Sequence, residues 1–343
     1  MKKKDFLKEP VKHINIKSFD STDIIDAMRD MSFTARDTAK ATDIFNKMIN
    51  DKDCTIILCV AGSTIAAGCL QIYIDMVKCN MVDVVVATGA TIVDMDFFEA
   101  LGFRHYKGSP FIDDGKLRQL YIDRIYDTFI DEEQLQICDN TIKEIADLLE
   151  KRPYSSREFI KEMGRYLKTQ NSKLKTQNCS LVQAAYENNV PVFCPAFSDS
   201  SAGFGLVKHQ KENLESHVCI DSVKDFRELT EIKIKSPVSG LFIVGGGVPK
   251  NFAQDTVVCA EVLGEPVQMH KYAVQITVAD VRDGACSSST LKEAHSWGKV
   301  DNKYEQMVYA EASSVLPLIV SYIYHRHHWQ NRTKRQWSKI FDS

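Results

Sequence analysis

The segment Glu293-Ala-His-Ser-Trp-Gly-Lys299 brings a carboxylate, an indole and a primary amine close together in sequence. An ordinary surface lysine is protonated at neutral pH and is no nucleophile. A lysine held against an aromatic face and partly desolvated loses its proton more easily, and can then add to an imine or carbonyl carbon. Lys299 follows a glycine and stands two residues after Trp297, one of only three tryptophans in the chain. A solvated lysine after a tight turn would fit the same letters, so the segment gains meaning only from its company.

That company is a set of glycine-containing turns. Val60-Ala-Gly-Ser-Thr-Ile-Ala-Ala-Gly68, Val86-Ala-Thr-Gly-Ala90 and Val244-Gly-Gly-Gly-Val-Pro249 each follow an apolar run and lead into a helical pattern. In a parallel sheet such turns lie at the carboxyl ends of strands, where ligands bind. Small residues let backbone amides approach a pyrophosphate, and the helix N-termini that follow favour negative charge. None matches Gly-x-Gly-x-x-Gly, and a tight strand–helix turn explains any one of them. Three on one edge predict a dinucleotide. Pro195-Ala-Phe-Ser-Asp-Ser-Ser-Ala-Gly203 adds Asp199 to that edge, either to accept hydrogen bonds from ribose hydroxyls or to cap a helix. Asp283-Gly284, in the loop leading toward Lys299, is turn chemistry before it is ligand chemistry.

The elements that must position these turns are short β-branched runs alternating with amphipathic stretches. Strands are expected at Thr55–Val60, Val82–Ala87, Val190–Ala196, His217–Ser222, Gly240–Val244 and Tyr272–Val278. Helices are expected over Thr64–Lys78, Leu181–Glu187, Val223–Lys235 and Pro249–Leu263. Near-continuous apolar strands separated by helices predict an α/β fold, Rossmann-like and doubly wound, with a mainly parallel sheet covered by helices on both faces. Ser222 is the expected cap of the third helix, and its apolar set is Val223, Phe226, Leu229 and Ile232. Pro249 suits a first turn, and Gly264 a left-handed position past a helix end. The polar stretch Lys168–Ser180 reads as a surface loop. The expected organisation is a helical N-terminal arm over 1–45, a single α/β dinucleotide-binding domain over 46–325, and a solvated basic C-terminal tail over 326–343.

Composition narrows the class. The 343 residues are 44% hydrophobic and 26% charged, ample for a packed core. A net charge of -3 gives no reason to expect nucleic acid. The ten cysteines contain no Cys-x-x-Cys pair and several sit inside apolar runs. They read as reduced, buried thiols of a cytoplasmic protein, with no metal cage. The basic start has no apolar core behind it, so it is no secretory signal, and no apolar run approaches membrane-spanning length.

From about Asp53 to Pro317 the chain resembles the deoxyhypusine synthase family. The resemblance rests on Asn80-Met-Val-Asp83, Val190-Pro-Val-Phe-Cys-Pro-Ala196, Gly245-Gly-Gly247 and Ser296-Trp-Gly-Lys299, in order and spacing. Ala87-Thr-Gly-Ala90, Gly108-Ser-Pro-Phe111 and Asp199-Ser-Ser-Ala-Gly203 look like its bacterial deoxyhypusine synthase-like branch. The resemblance implies an NAD-dependent aminoalkyl transfer without net redox change. Oxidation beside an amine nitrogen makes that carbon electrophilic, Lys299 carries the group as an enzyme imine, and an acceptor amine then displaces it. By position it implies NAD contacts at Gly62, Ser63, Thr64, Thr88, Gly89, Asp199, Gly246, Val278, Ala279, Glu311 and Ala312. It implies substrate contacts at Asp94, Asn251, Gly284, Glu293 and Trp297, and a homotetramer with shared active sites.

Departures from the family pattern concentrate in the amine pocket. Val93 and Asp94 stand for two glutamates, Asn251-Phe252 for a double histidine, and Phe204 and Cys286 for aspartates. Each lost carboxylate removes a partner for a protonated amine, on the order of 1.5–3 kcal/mol if nothing replaces it. Asp94, Asp96 and Glu293 are the candidates to rebuild the pocket. A polyamine of putrescine or spermidine type is the expected substrate, with a small acceptor and a homospermidine-type product. The alternatives are a true deoxyhypusine synthase acting on a translation-factor lysine, and a non-catalytic NAD-binding activator subunit.

Overall fold

The computed structural model describes residues 2–174, 180–283 and 289–342. At its centre is a six-stranded sheet made of β1 (Cys54–Val60), β2 (Val84–Ala87), β3 (Val192–Phe193), β4 (Val238–Val244), β5 (Tyr272–Thr277) and β6 (Glu305–Tyr309). The strand order is β6-β5-β4-β1-β2-β3 and every pairing is parallel. This is the doubly wound order, with its reversal between β1 and β4. The expected fold class is the observed one.

Both faces of the sheet are covered, which is why β1 is buried along its whole length and reads as an unbroken apolar run. Successive side chains point to opposite faces. Ile56, Leu58 and Val60 join the core under the helices Phe33–Asn50, Leu70–Lys78 and Ala312–His325. Ile57 and Cys59 join the other core, under Ser222–Ile234, Gly247–Gln254 and Leu291–Ser296. Phe45 meets Phe242 of β4 with ring centroids 4.5 Å apart.

Several expectations are corrected. His217–Ser222 is no central strand: only Cys219–Ile220 pairs, with Pro153–Tyr154, in a separate sheet. The sixth central strand is β6, whose partly exposed edge carries polar residues and so lacks the apolar signal. A three-stranded antiparallel sheet of Tyr106–Lys107, Thr128–Asp131 and Ile122–Ile125 was also unforeseen. Pro249–Leu263 breaks at Asp255 into two helices. The proposed loop from Lys168 is helical through Leu174, and its remainder up to Ser180 lies outside the described residues. Asp221, not Ser222, caps the helix Ser222–Ile234, accepting from Lys224 N at 2.9 Å. Val223 is exposed, so the apolar face of this helix rests on Phe226, Leu229 and Ile232, and Glu228 forms a buried pair with Arg157 at 2.8 Å. Gly264 does take a left-handed φ of 79° just past its helix.

The basic C-terminal segment is not a solvated tail. Arg332 Nη2 lies 2.7 Å from Asp83 Oδ2, with both side chains almost fully buried. Asp83 also accepts from Ile56 N at 2.8 Å, and Arg332 reaches the Cys54 carbonyl at 3.1 Å. The segment thus closes the N-terminal ends of β1 and β2, where unpaired carbonyls and a carboxylate attract a guanidinium. Arg332→Ala strands a buried carboxylate and should cost roughly 3–5 kcal/mol. Thermal denaturation of the variant checks this, and an unchanged melting temperature would contradict it.

Candidate active site

The turns leaving β1, β2, β3 and β4 converge on a cavity of about 500 Å³ at the carboxyl edge of the sheet. Gly62, Thr88, Gly89, Asp199 and Gly246 all line it. Gly62 and Gly247 have φ of 86° and 61°, and a Cβ built on either would meet nothing within 4 Å. Their missing side chains therefore leave open space beside the backbone, as close approach of a ligand requires. The helix Gly247–Gln254 begins after Gly246 with no side-chain cap, and Gly89 leads uncapped into the π-helical turn Ala90–Phe97. Amides at such ends are the natural partners of phosphate oxygens. The frame is tied by hydrogen bonds between turns. Thr91 Oγ1 donates to the Gly62 carbonyl at 3.1 Å, and Gln275 Nε2 to the Gly245 carbonyl at 2.9 Å. Gly89 is required for a different reason: its Cβ would fall 2.6 Å from Ser200 Oγ. These residues fit a dinucleotide.

The other expected cofactor residues lie on the same edge but outside the cavity lining. Ser63 and Thr64 follow Gly62, and Thr64 Oγ1 is committed to the Tyr73 hydroxyl at 2.7 Å. Val278 and Ala279 follow β5, with Val278 exposed. Glu311 caps the helix Ala312–His325, accepting from Ser313 N and Ser314 N at 3.0 and 3.2 Å.

Lys299 stands elsewhere. Its carbonyl accepts from His270 N, and Asp301 N donates to the His270 carbonyl, at the start of β5. The cavity-lining Thr277 ends that strand. Seven residues of extended chain span roughly 23 Å. Lys299 Nζ lies 2.5 Å from Asp255 Oδ1 and 5.2 Å from the Trp297 ring centroid, with the lysine side chain 13% exposed. The expected aromatic contact is present, joined by a carboxylate that sequence reading missed. Asp255 is four residues after Asn251, one helical turn, a spacing that could have drawn attention to it. Asn251 is half-buried on the turn below the cavity. Trp297 is exposed. Glu293 forms a capping box with Thr290, accepting from Thr290 N at 2.6 Å. Gly284 lies outside the described residues.

The three carboxylates considered for the amine pocket have separate occupations. Asp96 is fully buried and accepts from Ser180 Oγ, Leu181 N and Val182 N at 2.8, 2.7 and 2.9 Å. It holds a helix start and is no amine ligand. Asp94 accepts from Ser201 N at 2.8 Å and remains partly exposed. Burial pushes Asp94 up to about 6.

A family model described as deoxyhypusine synthase matches residues 23–323. A deoxyhypusine synthase-like protein of Coxiella burnetii is 66% identical over 341 residues, covering 99% of this chain and 96% of its own length. A Methanosarcina acetivorans protein assigned as deoxyhypusine synthase 2 is 36% identical, covering 94% of this chain and 92% of its own. A solved Entamoeba histolytica structure assigned as a deoxyhypusine synthase superposes with a TM-score of 0.60 at 20% identity. It covers 94% of this chain and 99% of that one, a likeness of fold.

Asp94 also makes a pH prediction. Its folded value of about 6 lies above the ordinary 3.8, so its stabilising contribution is full below pH 3.8 and is lost as pH rises through 6. Asp94→Asn keeps the acceptor for Ser201 N without the buried charge. The variant should exceed the parent in stability by on the order of 2–3 kcal/mol above pH 7, with the difference closing toward pH 4. Urea denaturation across this range tests it, and a pH-independent difference would contradict it.

Proposed function

The chain belongs to the deoxyhypusine synthase family, and on that premise we propose that it is an NAD-dependent aminoalkyl transferase. The observation that carries the reading is the convergence of Gly62, Thr88, Gly89, Asp199 and Gly246 on one cavity beside uncapped helix starts. In this reading the amides around Gly62, Gly246 and Gly247 hold the pyrophosphate, and Asp199 accepts from a ribose hydroxyl. A dinucleotide held there would supply the hydride acceptor, and later the donor, that the transfer needs.

Lys299 is the proposed carrier. Its Nζ forms a bond to the oxidised substrate carbon, the leaving amine departs, and the group rests as an imine until an acceptor amine displaces the lysine. In this reading Asp255, in an ion pair with Nζ, takes the proton that Nζ must lose, and Trp297, beside it, shields the imine from water. Since Lys299 and the cavity lie at opposite ends of β5, the working site is assembled from two copies, within a homotetramer. Each cavity then receives a lysine from a partner. A small amine of putrescine type is the proposed acceptor, giving a homospermidine-type product, as suits the similarity to deoxyhypusine synthase-like proteins. The cytoplasm is the proposed compartment, since the eight described cysteines are all unpaired.

Borohydride added with NAD and an amine should attach the aminoalkyl group to Lys299, and peptide mass spectrometry locates it. Lys299→Ala should lose transfer by more than a thousandfold while still binding NAD. A fully active variant would sink the covalent role. The shared site has its own test: mixing Lys299→Ala with Gly89→Val, each inactive alone, should restore roughly a quarter of the activity, as for subunits that pair at random. Mixtures that stay inactive after subunit exchange would refute it. Product analysis with putrescine alone, spermidine alone, or spermidine plus a translation factor identifies the acceptor.

A further inference from the structure

Three polar side chains that the proposed transfer does not use form a buried chain ending beside the Lys299 segment. Lys233, Ser239 and His270 are 1%, 1% and 0% exposed. They come from the helix Ser222–Ile234, from β4 and from just before β5. Lys233 Nζ lies 2.8 Å from Ser239 Oγ, Ser239 Oγ 2.8 Å from His270 Nδ1, and His270 Nε2 3.1 Å from the Ala253 carbonyl. The group types fix the direction of every bond. A carbonyl only accepts, so Nε2 carries the ring proton. Burial, with Lys233 nearby, holds His270 well below its ordinary value, so the ring is neutral and Nδ1 offers a lone pair. Ser239 donates to that lone pair, and its oxygen accepts from the lysine ammonium, which has only donors.

His270 meets both partners of the Lys299–Asp255 pair. Its backbone N donates to the Lys299 carbonyl and its carbonyl accepts from Asp301 N, each at 2.9 Å, so the segment after Gly298 is laced to it as a short parallel bridge. Its ring holds the Ala253 carbonyl, two residues before Asp255. Thr256 Oγ1, one residue after Asp255, donates to that same carbonyl at 2.7 Å. One imidazole therefore fixes the backbone on each side of the ion pair. Lys233 is the costly member of the chain. Burial pushes it down to about 8, and among the described residues no carboxylate pairs with it. An apolar side chain would fill the same place without that penalty. A sealed chain in which each donor has its own acceptor admits one arrangement, as the fixing of an amine against a carboxylate requires.

We propose that Lys233, Ser239 and His270 form a positioning clamp that holds Lys299 and Asp255 in register for the covalent step. All three are sealed from solvent, so they act through Lys299 and Asp255 and not on the reacting atoms. The step they serve rests on the transferase reading; the clamp itself does not. Covalent catalysis depends steeply on geometry, and a misplacement of about 1 Å can cost on the order of a hundredfold in rate. Ser239 and His270 stand at the starts of β4 and β5, whereas the glycines of the dinucleotide cavity follow the end of β4. Carrier geometry and cofactor binding are thereby separable.

Ser239→Ala removes the middle link, His270→Leu removes both ring contacts, and His270→Gln keeps a donor for the Ala253 carbonyl. In the full chain with NAD and spermidine, borohydride trapping on Lys299 should slow about tenfold in Ser239→Ala and about a hundredfold in His270→Leu. NAD affinity should not change, and His270→Gln should recover most of the loss. Competitive acetylation reads the geometry without turnover. Relative to the exposed Lys292, Lys299 should be labelled several-fold faster in Ser239→Ala and His270→Leu than in the parent, and at the parental ratio in His270→Gln. Ser239→Ala, which deletes one oxygen, decides alone should His270→Leu fail to fold. Parental labelling in Ser239→Ala overturns the proposal even where its melting temperature falls, since the network then supports only the fold. A parental trapping rate in that variant overturns it equally. If no amine traps on the parent's Lys299 while labelling still responds to Ser239→Ala, the transferase reading fails and the clamp on the Lys299–Asp255 pair stands.

Discussion

Everything in this molecule follows from one constraint: a parallel sheet buried on both faces must send every connection over the top. β1 is apolar along its whole length because helices cover it front and back. Parallel neighbours cannot be joined by hairpins, so each strand leads into a crossover and each crossover begins at the same edge. The reversal of strand order between β1 and β4 then opens a gap at that edge, because the crossovers on either side depart to opposite faces. Glycines occupy that gap for a steric reason. Gly62 and Gly247 hold left-handed backbone conformations with open space where a Cβ would be, and Gly89 packs too closely on Ser200 to bear one.

The same geometry explains why the lysine is absent from that edge. Lys299 belongs to the return path that brings the chain back to begin β6, so it lies beside the start of β5. One chain of this topology cannot bring the return path to the carboxyl edge without unravelling the sheet. Rotation of a second copy can. On the proposed function, the shared site follows from topology: a dinucleotide held at one edge and a carrier lysine at the other meet only across an interface between subunits. The Asp255 partner suits this arrangement, since a lysine awaiting a partner's ligand otherwise leaves a cation without a counter-charge at a mostly buried position.

What was legible in the sequence was what hydrophobic burial writes strongly. β1, β4 and β5 are nearly continuous apolar runs, and their turns announce themselves through small residues. Edges and charge pairs write weakly. β6 is an edge strand with partly exposed polar residues, so neither alternation nor an apolar run marks it. The basic C-terminal residues resemble any solvated run until Asp83 is known to lie beneath them, and nothing local in Trp329 to Lys339 points to that aspartate. The cavity residues were found through their turns. The position of Lys299 was not, because a motif records neighbours along the chain and is silent on which end of the sheet they occupy.

The carboxylates show the limit most clearly. Asp94 and Asp96 are two residues apart in one helical segment, similar in type and equally available as amine ligands on paper. Two residues along a helix turn a side chain to nearly the opposite face. Asp96 consequently enters the core and holds the start of Leu181–Asn188 through three hydrogen bonds, while Asp94 reaches the turn at Ser201. Asp139, which no motif singled out, arrives at that same turn from another helix and keeps one oxygen unsatisfied. Recognition of a cation depends on where a buried negative charge is left without a donor. That quantity is set by packing among elements distant in sequence, which motifs of neighbouring residues do not record.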